Sequence, residues 1–299
     1  MVLSKFLNPQ NDFAFKRIFG SARNKDILIH FINDMLGFTG DQAVQEVSFL
    51  KTHQDPEIAS KKQSILDVLC TDQRQRQYIV EMQVAKTAGF EKRAQYYAAK
   101  AYMSQLNSGE DYHQLKEIIF LAITDFVMFP DKAAYKSDHV VLDKQTHSHD
   151  LTDFSFTFVE LPKFKKSIDE LQTIVEKWTY FFKHAEETHE NDLARLIGSD
   201  KIIERAYQEL NRFSWSEIDL NTYEQEEKHE RDAVAILKNA RDEGKAEGKA
   251  EGLLEGEQKG KAEGLAEGGR LVKEAIIKKL RAQGLSETAI NKIIEIKDV

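Results

Sequence analysis

Between residues 64 and 84 the chain carries two short apolar runs, Ile65-Leu66-Asp67-Val68-Leu69-Cys70 and Tyr78-Ile79-Val80-Glu81-Met82-Gln83-Val84, separated by the polar residues 71–77. Both runs are rich in β-branched and apolar residues and flanked by polar ones, which predicts a buried hairpin. Each run is interrupted by a carboxylate. Alternation along the second strand puts Glu81 and Gln83 on one face and Val80, Met82 and Val84 on the other. Asp67 sits among large apolar neighbours. An ionised carboxylate in such surroundings is costly without a compensating cation, and two of them pointing into one space repel until a divalent ion arrives. A metal ion held by Asp67 and Glu81 is the simplest partner.

The hairpin follows an opening Asn11-Asp12-Phe13-Ala14-Phe15-Lys16-Arg17-Ile18-Phe19-Gly20 and precedes a helix carrying Arg93 and Tyr96-Tyr97, then an apolar strand before Asp125. In that combination the chain resembles the PD-(D/E)XK nuclease superfamily and, more narrowly, the Rpn family of recombination-promoting nucleases and transposases. The resemblance implies an α/β fold with an αβββαβ mixed-sheet core, and a DNA endonuclease that uses Mg²⁺ or Mn²⁺ on Asp67 and Glu81. Gln83 then occupies the last motif position, where the superfamily usually carries lysine. Glutamine can hydrogen-bond a water but brings no charge, and Lys62 on the preceding strand edge is a candidate to compensate. The main-chain carbonyl of Gln83 or Met82 is expected within reach of the metal. Asp12 reads either as a helix cap or as a further acid beside the metal. Lys16, one turn on, pairs with Asp12 across i,i+4 or stands near the site.

The hydrophobic periodicity agrees with that core. A short helix around Phe15, Ile18 and Phe19 closes at Gly20, and a second spans Asn24 to Gly37. A strand over residues 45–52, the hairpin, a helix over 90–106 and a doubly covered strand over 118–123 follow. The stripe Arg93, Tyr97, Lys100, Ser104 on that helix is either a solvated face or a cleft wall contacting phosphate. Two more strands are expected over 139–142 and 154–161, and His147-Ser148-His149-Asp150 between them reads as a surface loop in preference to a metal site. Helical patterns take over from Ser167. The expected division is a nuclease-like domain over 1–165, a helical subdomain over 166–240, a glycine-repeat linker or helix over 241–269 and a small helical unit over 270–299.

Charge bears on the DNA expectation. The formal net charge is −8, yet residues 1–125 hold 15 basic and 15 acidic side chains, so the remaining 27 basic and 35 acidic residues carry the whole excess. A neutral domain can still present a basic groove, and bound metal adds positive charge where phosphates lie. No apolar run is long enough to cross a bilayer and no signal peptide is evident, so a cytoplasmic protein is expected. The single Cys70 excludes an internal disulfide and reads as a buried thiol. No glycine-rich phosphate loop follows any expected strand, which leaves a small-metabolite enzyme acting through Glu81 without a cofactor motif.

The tail repeats glycine every fourth residue from Gly244 to Gly268, mostly within Lys-Ala-Glu-Gly units. As a lone helix this is poor, because each glycine costs about 1 kcal/mol relative to alanine. It reads as a flexible linker or as a helix paired with a copy of itself, followed by two short helices over 271–280 and 286–296. The competing expectation for the whole chain is a nuclease-fold protein of weak or no activity, acting as a binding or homo-oligomerisation module through this tail.

Overall fold

The computed structural model describes residues 4–54, 64–198 and 200–295. Asn11, and not Asp12, caps the first helix: its side chain accepts the N–H groups of Phe13 and Ala14, and α1 runs Asp12–Phe19. Helix α2 (Lys25–Leu36) ends on Gly37, whose φ of 69° gives the left-handed stop that glycine takes without penalty. Then come β1 (Val47–Phe49), β2 (His53–Gln54), β3 (Ser64–Ile65), β4 (Val68–Asp72), β5 (Gln77–Gln83), α3 (Phe90–Met103) and β6 (Ile118–Thr124). Strands β7 (Lys136–Val141) and β8 (Leu151–Glu160) complete the sheet.

The six-stranded sheet has the order β1-β4-β5-β6-β8-β7. Pairing is antiparallel at β1/β4, β4/β5 and β7/β8 and parallel at β5/β6 and β6/β8. Helix, three strands, helix, strand is the PD-(D/E)XK core, built here as a mixed sheet. The hairpin departs from expectation. The first hairpin run is not a single strand: β3 pairs with β2 in a separate two-stranded ribbon, and the chain bends at Asp67 before β4 begins.

Alternation sorts the sheet into two faces. Tyr78, Val80 and Met82 with Ile119, Leu121 and Ile123 pack against α1, α2 and the later helices. Ile79 with Ile118, Phe120 and Ala122 packs against Phe90, Ala94, Ala98 and Ala101 of α3. Glu81 and Gln83 therefore belong to the α3 face.

Helices α4 (Ile174–His184), α5 (Glu190–Ile197) and α6 (Lys201–Glu209) share the first core. Trp178 and Phe182 of α4 interleave with Phe19 and Phe31 at ring distances of 5.2 to 6.1 Å. Helix α7 (Glu217–Ala282) holds 66 residues, so residues 271–280 form its end and not a separate helix. The chain divides into two compact units, Met1–Arg231 and Asp232–Val299. In the second, Gly284 (φ +81°) turns the chain, α8 (Glu287–Glu295) follows, Ile290 is buried and Arg281 pairs with Glu287 at 2.6 Å. No helix among the described residues is long and apolar enough to cross a membrane.

Candidate active site

The antiparallel register Val68↔Val80, carried one step further, sets Asp67 opposite Glu81. Two unusual bonds from side chain to main chain form there. The Asp67 N–H donates to Glu81 Oε1 at 3.2 Å, and Asp67 Oδ2 accepts the N–H of Met82 at 2.9 Å. Carboxylate oxygens thus accept main-chain N–H groups where the chain bends at Asp67, and these bonds orient both side chains. Glu81 is only 4% exposed.

Helix α1 brings Asp12 and Lys16 to the same place. Lys16 Nζ lies 2.7 and 2.8 Å from the Asp12 oxygens and 3.7 Å from Asp67 Oδ1. Burial pushes Asp67 up to about 6; the Met82 N–H and the Lys16 ammonium oppose the rise, and the Asp12 carboxyl adds to it by charge and hydrogen bonding. Burial and then the charge of Asp67 raise Glu81 well above the usual carboxylate range, against the pull of Arg93 and Lys16. Burial lowers the Lys16 ammonium, but Asp12, Asp67 and Glu81 outweigh it and the net shift is upward. Two neighbouring acids, each raised by burial and one raised further by the other's charge, form a site that favours a cation or a shared proton.

On the α3 side, Gln83 is held at both ends of its amide. Oε1 accepts from Arg93 Nη2, and Nε2 donates to the Ala85 carbonyl at 3.1 Å. The Gln83 main-chain carbonyl, expected as a metal donor, already accepts the Asp125 N–H at 3.0 Å. Arg93 lies over the rings of Phe90 and Tyr97, and its Nε is buried without a hydrogen-bond partner. Burial raises the Tyr97 phenol, Arg93 opposes this, and the charges of Glu81 and Asp67 add to it. Thr87, Gly89, Lys92, Arg93, Tyr96 and Tyr97 line a groove of about 570 Å³.

Of the residues expected at the site, Asp12, Asp67 and Glu81 come together, while Gln83 shares the α3 face with Glu81 and bonds Arg93. Lys62 lies outside the described residues. The segment 147–150 is a largely exposed loop tied to Asp143, whose N–H donates to the Ser148 carbonyl at 2.9 Å and whose carbonyl accepts the His147 N–H at 3.0 Å. Sequence reasoning missed Tyr223 and Asp219, which brace α1. Tyr223 accepts the Asn8 N–H at 3.0 Å and its carbonyl accepts from Asn11, while Asp219 pairs with Arg17 at 2.7 Å. No local signal marks contacts so distant in sequence.

Residues 9–240 match the family model described as PD-(D/E)XK nuclease family transposase. The chain belongs to that family. No curated protein and no solved structure matches it. Membership assigns a nuclease of the hydrolase kind with a mobile-element association.

PD-(D/E)XK nucleases typically use divalent metals. Among the described residues no three His, Cys, Asp or Glu side chains are gathered as a ready metal cage. The donor chemistry still suits a hard ion: Asp67 and Glu81 present carboxylate oxygens whose charge is under-compensated, and Mg²⁺ commonly binds through one or two carboxylates while keeping several waters.

Proposed function

We propose that the protein is a metal-dependent DNA endonuclease that hydrolyses phosphodiester bonds, in recombination or mobile-element biology. The observation that supports this reading is the carboxylate pair, half-buried Asp67 and buried Glu81, meeting across the hairpin. These two side chains would hold Mg²⁺ or Mn²⁺, with Asp12 as a further acid at the edge. Such an ion, when bound, acidifies water and offsets charge on phosphate oxygens. The chain's own residues do the rest. The main-chain bonds to Glu81 Oε1 and Asp67 Oδ2 keep the carboxylates oriented, and burial keeps bulk water from screening them. Lys92, Arg93 and Tyr96 give the α3 groove the mixture of cations and aromatic surface that suits a nucleic-acid strand.

The test is incubation of supercoiled plasmid with purified protein, with and without Mg²⁺ or Mn²⁺, beside Asp67→Ala. Metal-dependent nicking by wild type and its loss in the variant are expected. Equal nicking by both would sink the assignment.

A second reading draws on Gln83, which is uncharged and engaged at both amide ends. A nuclease-fold protein of weak activity would then act as a binding or assembly module through its C-terminal segment. Absence of metal binding by calorimetry, together with oligomers that vanish on deleting residues 241–299, would favour it.

A further inference from the structure

The last motif position in the superfamily supplies a cation beside the scissile phosphate, and here it supplies none. Gln83 is neutral and its amide is committed to Arg93 and to the Ala85 carbonyl. Arg93 in turn is spread over two aromatic rings, 4.9 Å from Phe90 and 6.0 Å from Tyr97. On the opposite side of the carboxylate pair stands a different ammonium group. Lys16 Nζ is clamped by Asp12 one turn earlier and reaches to 3.7 Å from Asp67 Oδ1. We propose that Lys16, delivered by α1, takes the part of the missing strand lysine: it holds the attacking water and offsets the charge that builds on the phosphate. This rests on the hydrolase reading above.

Three features carry it. At 3.7 Å the Asp67 contact is an ion pair and too long for a hydrogen bond, so with two N–H groups facing Asp12 the ammonium keeps a third for a water or a phosphate oxygen. The side chain is 39% exposed, so an incoming strand can reach it. Its backbone is also fixed: Phe15, Ile18 and Phe19 anchor α1 with no exposure at all, Asn11 caps it, and the Arg17–Asp219 pair braces it from outside. Asp12 is the positioning residue, holding the ammonium over the site without touching substrate. In the reaction the water oxygen bonds to phosphorus as the bond from phosphorus to the leaving oxygen breaks. The water gives up one proton to solvent, the leaving oxygen takes one from solvent, and Lys16 stays protonated throughout.

Full-length wild type, Lys16→Met, Lys16→Arg and a double variant joining Lys16→Met to Gln83→Lys are compared for Mn²⁺ binding by calorimetry and for plasmid cleavage at saturating Mn²⁺. Lys16→Met is expected to lower kcat about 100-fold, the scale seen when one preorganised electrostatic donor is removed. It should bind Mn²⁺ as tightly or more tightly, because a like charge has left the site. Lys16→Arg should fall between, and Gln83→Lys should restore part of the lost rate. A Lys16→Met variant that cleaves at the wild-type rate overturns the proposal. So does one that loses Mn²⁺ binding along with cleavage, since that is what a purely structural lysine would do. A double variant no faster than Lys16→Met overturns the equivalence of the two positions. A wild type that binds Mn²⁺ and leaves plasmid intact is a different result, which removes the hydrolase reading itself and the proposal with it.

Discussion

Asp67 titrates at 3.8 when unperturbed and at about 6 in the folded chain. Between those values the native state holds more protons than the unfolded one, so stability falls as pH rises through that window. Asp67→Asn keeps an oxygen for the Met82 N–H and abolishes the charge. At pH 7 this variant should be more stable than metal-free wild type by up to roughly 3 kcal/mol, from about 1.4 kcal/mol per pH unit of displacement. The gap should close below pH 4, and thermal melts from pH 4 to 8 measure it. Excess Mn²⁺ should stabilise wild type at pH 7 and leave the variant unmoved; identical melting of the two proteins at every pH would mean that Asp67 is not strained. Glu81→Gln should cost cleavage at least as much as Asp67→Asn, because Glu81 is the more buried acid. Both carboxylates were legible in the sequence, since each interrupts an apolar run. The bend between them was not: it depends on bonds between side chain and backbone across the hairpin, which no local pattern encodes.

The helices differ in how far they announce themselves. Helix α1 shows a cap, an apolar face and a glycine stop, and it forms as expected with the cap one residue earlier. Asn11→Ala should therefore lower stability by about 0.5 to 2 kcal/mol in chemical denaturation, the usual cost of a lost cap, and should weaken Lys16-dependent steps by loosening the first turn. Strand β6 was legible because both its faces are apolar, which only a covered central strand tolerates. Helix α7 was the hard case, since propensity argues against a helix through so many glycines. None of Gly248, Gly252 and Gly256 has an atom within 4 Å of an added Cβ. Replacing all three by alanine should raise the stability of this stretch by roughly 1 kcal/mol per site, read as a higher melting temperature in far-UV circular dichroism. A drop instead would reveal a close partner on the glycines. A four-residue spacing also overshoots one helical turn by about 40°, so the stripe from Gly244 to Gly268 winds around the axis and cannot present one flat face to a second helix throughout.

Every residue gathered at the candidate site lies within Met1–Arg231, a compact unit with its own two cores. A protein ending at Arg231 should bind Mn²⁺ as the full chain does, and calorimetry on both decides it. A protein ending at Ser216 should not, because it lacks Asp219 and Tyr223. Sequence patterns placed the sheet and its flanking helices well but gave no reason to link residue 8 to residue 223; such pairings are set by the packed whole.

The grip of Asp219 and Tyr223 on α1 also orders events during synthesis. A ribosome delivers Asp12, Lys16, Asp67 and Glu81 early, and the apolar face of α1 can pack once α4 has emerged, yet the last bonds to the helix wait until the chain has grown to Tyr223. A nascent fragment stalled before that tyrosine therefore carries both acids on an α1 held by its packing alone.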